Sequence, residues 1–350
     1  METLGTQFSK AVSNVTVTSA KSLRAIAAHT EVRVLLESDP VLKAWGIDPI
    51  LIGSYGRQTS RFPAKDVDVF LRLSKLNVSS ADPGKVYTAV RDVLVKRYGI
   101  KGQDPSGRCT EQARSISINF PDPATPGGLD EFHVDAVPAV AWGSHWGIPN
   151  RDREVWDQSE SRWVKTDPVE FGEFTNTLAV SPSSPTVGSD NAYRPVVRLL
   201  RQVRHVHLGE ARPGGLYVEL LAYYAWLAGE AKGISYAELL AGSLTAVGNR
   251  CRTAATAGLL DPVLKTQMKP DLTGQQWNEA ADIFLDLAAK AQQALTADKC
   301  RAAFLWREIL GTNERGQILP LPEGCDAGGF PLDSITAVGA VGSNQPRGFA

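Results

Sequence analysis

No two cysteines in this chain stand in a CxxC spacing. Cys109, Cys251, Cys300 and Cys325 are scattered, which argues against a thiolate metal knuckle or a dithiol redox motif and reads as four reduced thiols. A surplus of charge of one sign is also missing. The 37 Lys and Arg residues nearly balance 38 Asp and Glu, for a formal net charge of −1. The chain therefore lacks the overall basic character that grips a nucleic-acid backbone, and a long polymer is not an expected or obligatory partner. No apolar run reaches the roughly 20 residues that span a bilayer. Among the longest, LYVELLAYYAWLAG at 216–229 stops short. Nor do the first residues join a basic start to an apolar core, as a secretory leader does. These absences together point to a soluble chain in a reducing cytoplasm, with no membrane partner. No internal repeat is visible.

What is present is ordinary in bulk: 350 residues, 43% hydrophobic and 21% charged, enough for a sizeable core and for two lobes. Residues 19–38 carry apolar side chains at mixed three and four spacing, predicting a helix with Ser19 as its cap. Strand patterns follow at 66–73, 114–120 and 131–137, with a helix over 85–98 between the first two. From Asp190 the pattern becomes helical, over 190–208, 214–230, 235–247 and 274–295. The Pro/Ser-rich stretch AVSPSSPTVGSD at 179–190 reads as a linker or hinge. After Pro322 the Gly, Ala and Ser content rises without periodicity, predicting an extended or partly disordered tail over 323–350.

The chemistry concentrates in LIGSYGRQTSRFPAKDVDVFLRL, residues 51–73. Side chains alternate faces along a strand, so Asp66 and Asp68 point together while Val67 and Val69 point into a core. A fold tolerates two like charges at that spacing mainly when a cation lies between them, and an all-oxygen ligand set suits Mg²⁺ better than zinc. Asp-x-Asp alone is weak, since it is frequent on exposed faces. Here an apolar ILI precedes Gly53 and Ser54, where a tight turn can aim N–H groups and a hydroxyl at phosphate. Downstream, FHVDAVPAV at 132–140 places Asp135 on a third strand, with Phe132, Val134 and Ala136 on its other face. Three carboxylates from neighbouring strands can hold two metal ions. His133 shares the face of Asp135 and reads as structural.

The joint pattern G-S-x-G-R-x-T, D-x-D and a later Asp flanked by apolar residues resembles the DNA polymerase β-type nucleotidyltransferase superfamily. Within it, GSYGRQTS, DVDVFL, FHVDAVPA, IPNRDREVWDQSESRWVKTDP and YRPVVRLLRQVRHVHLG, over about residues 50–225, are similar to the bacterial cGAS/DncV-like nucleotidyltransferases (CD-NTases). These are oligonucleotide synthases of anti-phage (CBASS) signalling. The resemblance implies an α/β fold: a polymerase β-type core of mixed sheet and helices over 1–188, a mainly helical lobe over 189–322, and a cleft between them. It implies Asp66, Asp68 and Asp135 as metal ligands and catalytic residues, with Asp135 helping to deprotonate a ribose hydroxyl. Two Mg²⁺ ions would be held, with Mn²⁺ as a substitute. Gly53 and Ser54 would contact β and γ phosphates, with Arg57, Gln58 and Thr59 completing the nucleotide-binding turn. Gln58 stands where many relatives have glycine, and Lys65 where a small residue is usual.

On the helix from Asp190, Arg194, Arg198, Arg201 and His205 share one face. This stripe is either a solvated basic face or, by the resemblance, the cleft border, with Arg201 reaching the triphosphate. Relatives then carry a serine, an aromatic and a helix with an inward glutamate. Here Leu216 replaces the serine, and Tyr217 either stacks on a base or belongs to the core. Asn176 matches a base-contacting position. Trp142, Trp146, Trp156 and Trp163 are expected to pack the lobes together. The implied activity is synthesis of a cyclic di- or oligonucleotide from NTPs with release of pyrophosphate. Linear synthesis, nucleotidyl transfer to a small molecule or protein, and an inactive nucleotide-binding scaffold are the alternatives. Regulatory proteins, or proteins that conjugate the C-terminal tail ending QPRGFA, are the implied partners.

Overall fold

The computed structural model describes residues 4–124, 127–158 and 161–332. The chain opens with α1 (Gly5–Val15), α2 (Ser19–Ser38) and the short α3 (Pro40–Ala44), then β1 (Ile47–Leu51) and a single helical turn, α4 (Gly53–Gly56). The long strand β2 (Asp66–Asn77) leads to α5 (Pro83–Tyr98), β3 (Cys109–Glu111), β4 (Ile116–Phe120), β5 (Phe132–Trp142), β6 (His145–Pro149) and β7 (Trp163–Thr166). After α6 (Pro168–Val180) and a small hairpin, β8 (Thr186–Val187) with β9 (Asp190–Asn191), the chain is helical. Those helices are α7 (Tyr193–Leu208), α8 (Gly215–Leu227), α9 (Tyr236–Ala257), α10 (Gly274–Thr296) and α11 (Lys299–Leu310), followed by the hairpin β10 (Thr312–Asn313) and β11 (Gly316–Gln317).

Local chemistry marks these boundaries. Asp82 caps α5 with Pro83 in its first turn, and Gly99 ends it at φ +66°. Ser235 with Glu238 and Thr273 with Gln276 form reciprocal capping boxes at α9 and α10. Thr18, not Ser19, caps α2 by accepting from the Lys21 N–H.

Seven strands form one mixed sheet in the order β1-β2-β5-β4-β3, with β6 and β7 continuing from β5. The only parallel pair in it is β2 with β5; the other ladders are antiparallel. One sheet face is covered by α2 and α5, burying Val67, Val69 and Leu71 with Ile116, Ile118, Val134 and Ala136. A larger apolar cluster joins α6 to α11, and α1 belongs to it: Phe8 meets Trp306 edge-on at 5.0 Å between ring centroids.

Several expectations change. Cys300 and Cys325 form a disulfide, with Cα atoms 5.2 Å apart, while Cys109 and Cys251 are free and buried. The first residues of the expected tail are accordingly pinned to α11, with Lys299 Nζ donating to the Glu323 carbonyl. The conjugation site imagined at the chain end lies outside the described residues. The 179–190 stretch is not a bare linker, because it folds as β8–β9 and Ser184 Oγ donates to the Leu178 carbonyl. The four tryptophans pack within the sheet half rather than between lobes: Trp146 against Phe70, Trp156 against Tyr87 of α5, and Trp142 and Trp163 in a small cluster with Leu73 and Val140.

Candidate active site

The turn after β1 is held to β2 by the Ile52 N–H donating to the Asp68 carbonyl. A first helical turn leaves its leading N–H groups without intrahelical partners, so α4 presents them outward. Gly53 sits at φ +66°, and a Cβ there would lie 1.9 Å from Asp68 Oδ2. Only glycine fits, for both reasons. Ser54 Oγ lies 2.9 Å from Ser60 Oγ, which orients it at the mouth of the loop.

The parallel register sets Asp68 beside Asp135 and Asp66 beside His133. Alternation then puts all three carboxylates on the sheet face opposite α2 and α5, as the sequence pattern predicts. Burial first, then the neighbouring Asp135 and Asp66 charges, raise the Asp68 carboxyl to about 6, with Arg57 and Arg201 opposing. Burial likewise raises Asp135. Among the described residues, Asp135 Oδ1 is buried with no hydrogen-bond partner. An unpartnered carboxylate oxygen beside crowded like charges is what a divalent cation satisfies, so the donor set fits one.

These carboxylates open on a cavity of about 440 Å³, walled by the Gly53–Ser54 turn, Arg57 and Arg201 on one side. Phe171 of α6, Leu216 and Leu220 of α8, and Met268 form its apolar part. At its floor Glu219 is fully buried: it accepts from Arg57 Nε at 2.7 Å, from Arg57 Nη2 at 3.1 Å and from Thr59 Oγ1 at 2.8 Å, with Arg201 Nη1 at 3.6 Å. Burial works against this carboxylate, but the Arg57, Arg201 and Thr59 contacts outweigh it and hold it below the usual range. Arg57 also lies over the Phe171 ring, 4.9 Å from its centroid.

Of the sequence-derived candidates, Gly53, Ser54, Arg57, Asp66, Asp68, Asp135 and Arg201 meet around this cavity. Four do not line it. Thr59 is buried behind the turn on Glu219. The Gln58 carbonyl accepts from Arg198, and Asn176 Oδ1 accepts from Arg194. Tyr217 points into the helical core, its hydroxyl on the Pro270 carbonyl and its ring 6.0 Å from that of Trp277. Arg194, Arg198 and Arg201 of the α7 stripe are thus half-buried on partners, while His205 at its end is exposed. Glu219 and Phe171 were not singled out as site residues, and an inward helix carboxylate is the signal that could have found the first.

A second group able to offer metal ligands sits beside the cavity. His145 Nδ1 lies 3.0 Å from Asp167 Oδ2 and 4.0 Å from Glu170 Oε2. The other Asp167 oxygen caps α6 through the Glu170 N–H, so this carboxylate already has a structural task.

The sequence matches no protein-family model and no curated protein. Solved structures are similar in fold. E. coli MS115-1 CdnC with ATP superposes with a TM-score of 0.64 at 17% identity, over 88% of this chain and 98% of that one. The Bradyrhizobium diazoefficiens CD-NTase CdnG with GTP gives 0.62 at 14%, over 85% and 93%. Vibrio cholerae DncV, a cyclic AMP-GMP synthase holding a linear intermediate, gives 0.60 at 10%, over 85% and 91%. The chain has the CD-NTase fold.

Proposed function

We propose that this chain is a nucleotidyltransferase that joins NTPs into a cyclic di- or oligonucleotide second messenger of bacterial anti-phage signalling. The observation that carries the reading is the Gly53 turn closed against Asp68, with Asp66 and Asp135 on the same sheet face. Asp66, Asp68 and Asp135 would hold Mg²⁺, two ions by likeness to the superfamily, with Mn²⁺ able to substitute. Bound there, the metal supplies Lewis-acid polarisation of the reacting phosphate and neutralises charge on the leaving group.

The chain's own groups supply the rest. The N–H groups of the turn and Ser54 Oγ hold the β and γ phosphates, and Arg201 balances their charge. The apolar wall of Phe171, Leu216 and Leu220 receives a base. Asp135, raised by burial, accepts the proton of a ribose hydroxyl. The hydroxyl oxygen bonds to the α phosphorus, the bond from that phosphorus to the bridging oxygen breaks, and pyrophosphate leaves with the electron pair. The proposed division is a catalytic core to about residue 188 and a helical lobe to 322, with α1 and α6 packed into the helical cluster. CdnC also occurs in a solved complex with HORMA-deltaN, and by that likeness a regulatory protein belongs among the partners. No described helix is long and apolar enough to cross a membrane; a cytoplasmic site of action is part of the proposal.

The test is incubation of the full chain with four NTPs, each α-labelled in turn, and Mg²⁺ or Mn²⁺, followed by phosphatase, chromatography and mass spectrometry. A phosphatase-resistant product without terminal phosphates is expected. A product that loses a 5′ phosphate would replace the reading with linear synthesis, and label on protein or a small molecule with nucleotidyl transfer.

A further inference from the structure

A second cavity, of about 300 Å³, shares Ser54, Asp66 and Arg201 with the first. The loop between α4 and β2 adds Ser60, Arg61 and Lys65 to its wall, and α7 adds His205. Two carboxylates, Glu210 and Glu314, also line it, both exposed to solvent.

The basic groups here are unusually short of partners. Arg61 donates to the Phe62 carbonyl and, at 3.4 Å, to Gln202 Oε1, both neutral acceptors. Among the described residues, the Lys65 and His205 side chains form no hydrogen bond or ion pair. Burial holds Arg61 below the usual guanidinium range; Glu314 opposes this, while Arg201 and Arg204 add to it. Burial and then Arg61 lower His205 in the same way, with Glu314 and Glu210 opposing and Arg204 adding. Arg61 and Lys65, unpaired by any carboxylate among the described residues and facing an open polar space with a neutral imidazole as a further donor, describe a site that can receive an anion.

The proposed function, on which this inference rests, says which anion arrives. When the α–β bond breaks, the pyrophosphate lies on Ser54 and Arg201, the wall common to both cavities. The first cavity still holds the growing nucleotide. The second borders the same wall, and in it Arg61 and Lys65, which no carboxylate pairs among the described residues, stand beside Asp66, Glu210 and Glu314. We propose that the second cavity is the exit for inorganic pyrophosphate, which passes from Ser54 and Arg201 to Arg61, Lys65 and His205 before reaching solvent.

Calorimetric titration of the full-length chain tests this, with magnesium pyrophosphate in one arm and ATP in the other. The variant is Lys65→Ala/His205→Ala, whose wild-type side chains are both exposed, so folding is expected to survive. Pyrophosphate affinity should fall about tenfold, as for the loss of charged phosphate contacts, while ATP affinity changes less than about threefold. Unchanged pyrophosphate affinity overturns the proposal. So do equal losses for both ligands, which would assign these residues to the nucleotide cavity. The readout uses no turnover: in a chain that made no oligonucleotide, a pyrophosphate-selective loss would still support the site and count against the synthase reading alone.

Discussion

Asp68 and Glu219 line one cavity and face the same two arginines, Arg57 and Arg201, yet they are pushed in opposite directions. On the sheet side, burial and two neighbouring carboxylates raise Asp68 to about 6. On the helical side, Arg57 and Thr59 touch Glu219 directly and hold it ionised although it is fully buried. The difference is one of contact as well as of nearby charge: Asp68 has two carboxylate neighbours, whereas Glu219 has cations in direct contact. Arg57 spends its hydrogen bonds on Glu219, so it reaches Asp68 only through space. Arg57 is committed to Glu219, and among the described residues the carboxylate trio has no direct ion pair with a cation of the chain.

The sharpest break in this comparison is Asp68→Asn. Synthesis should fall roughly 10⁴-fold, about 5 kcal/mol at the transition state, while the metal-free thermal midpoint rises because a repelling charge is gone. A fall in both would show that Asp68 is a structural ion like Glu219. Next is Glu219→Gln, which strands the Arg57 guanidinium. A loss of about 3–5 kcal/mol in chemical denaturation is expected, with Arg57→Leu/Glu219→Leu costing clearly less because both charges leave together. Equal costs would deny that the pair acts as a unit.

Gly53→Ala should lower synthesis by roughly a hundredfold through displaced geometry, and should weaken Mg²⁺ binding as well, since the added Cβ meets Asp68 Oδ2. Full Mg²⁺ affinity in that variant would separate the turn from the carboxylates.

The smallest effect is in pH. Asp68 is raised in the folded chain, so its contribution to metal-free stability is present at low pH and is lost as pH rises through about 6. Mg²⁺ needs the ionised form. Thermal stabilisation by Mg²⁺ should therefore shrink as pH falls from 7 to 5 while the metal-free chain gains about 1–2 kcal/mol. A Mg²⁺ shift that is flat across this window would remove the ion from Asp68.

The trio was legible because strand alternation is a short-range rule: Asp66, Asp68 and Asp135 fall out of spacing two and apolar neighbours, and β2 and β5 obey it. Glu219 is marked only by the resemblance, which implies an inward glutamate on this helix; spacing alone does not pick it out, because α8 is apolar nearly all round. Its partners Arg57 and Thr59 lie 162 and 160 positions away. Tyr217 was ambiguous for the same reason, and the structure places its ring in the core. The disulfide joins cysteines 25 apart through a return of the chain to α11 that no local spacing announces. Trp142, Trp146 and Trp163 follow strands β5, β6 and β7, whose place in the sheet depends on long-range pairing.

The position of α1 has a consequence for how the molecule is born. Leu4, Phe8, Ala11 and Val15 are translated well before α7 to α11, yet they pack with side chains drawn from those helices, and Asn14 donates to the carbonyl of Ile318. Helix α1 must wait, its apolar face unsheltered, until α7 to α11 have been translated. The helical cluster is thus completed by a segment made long before the helices it joins.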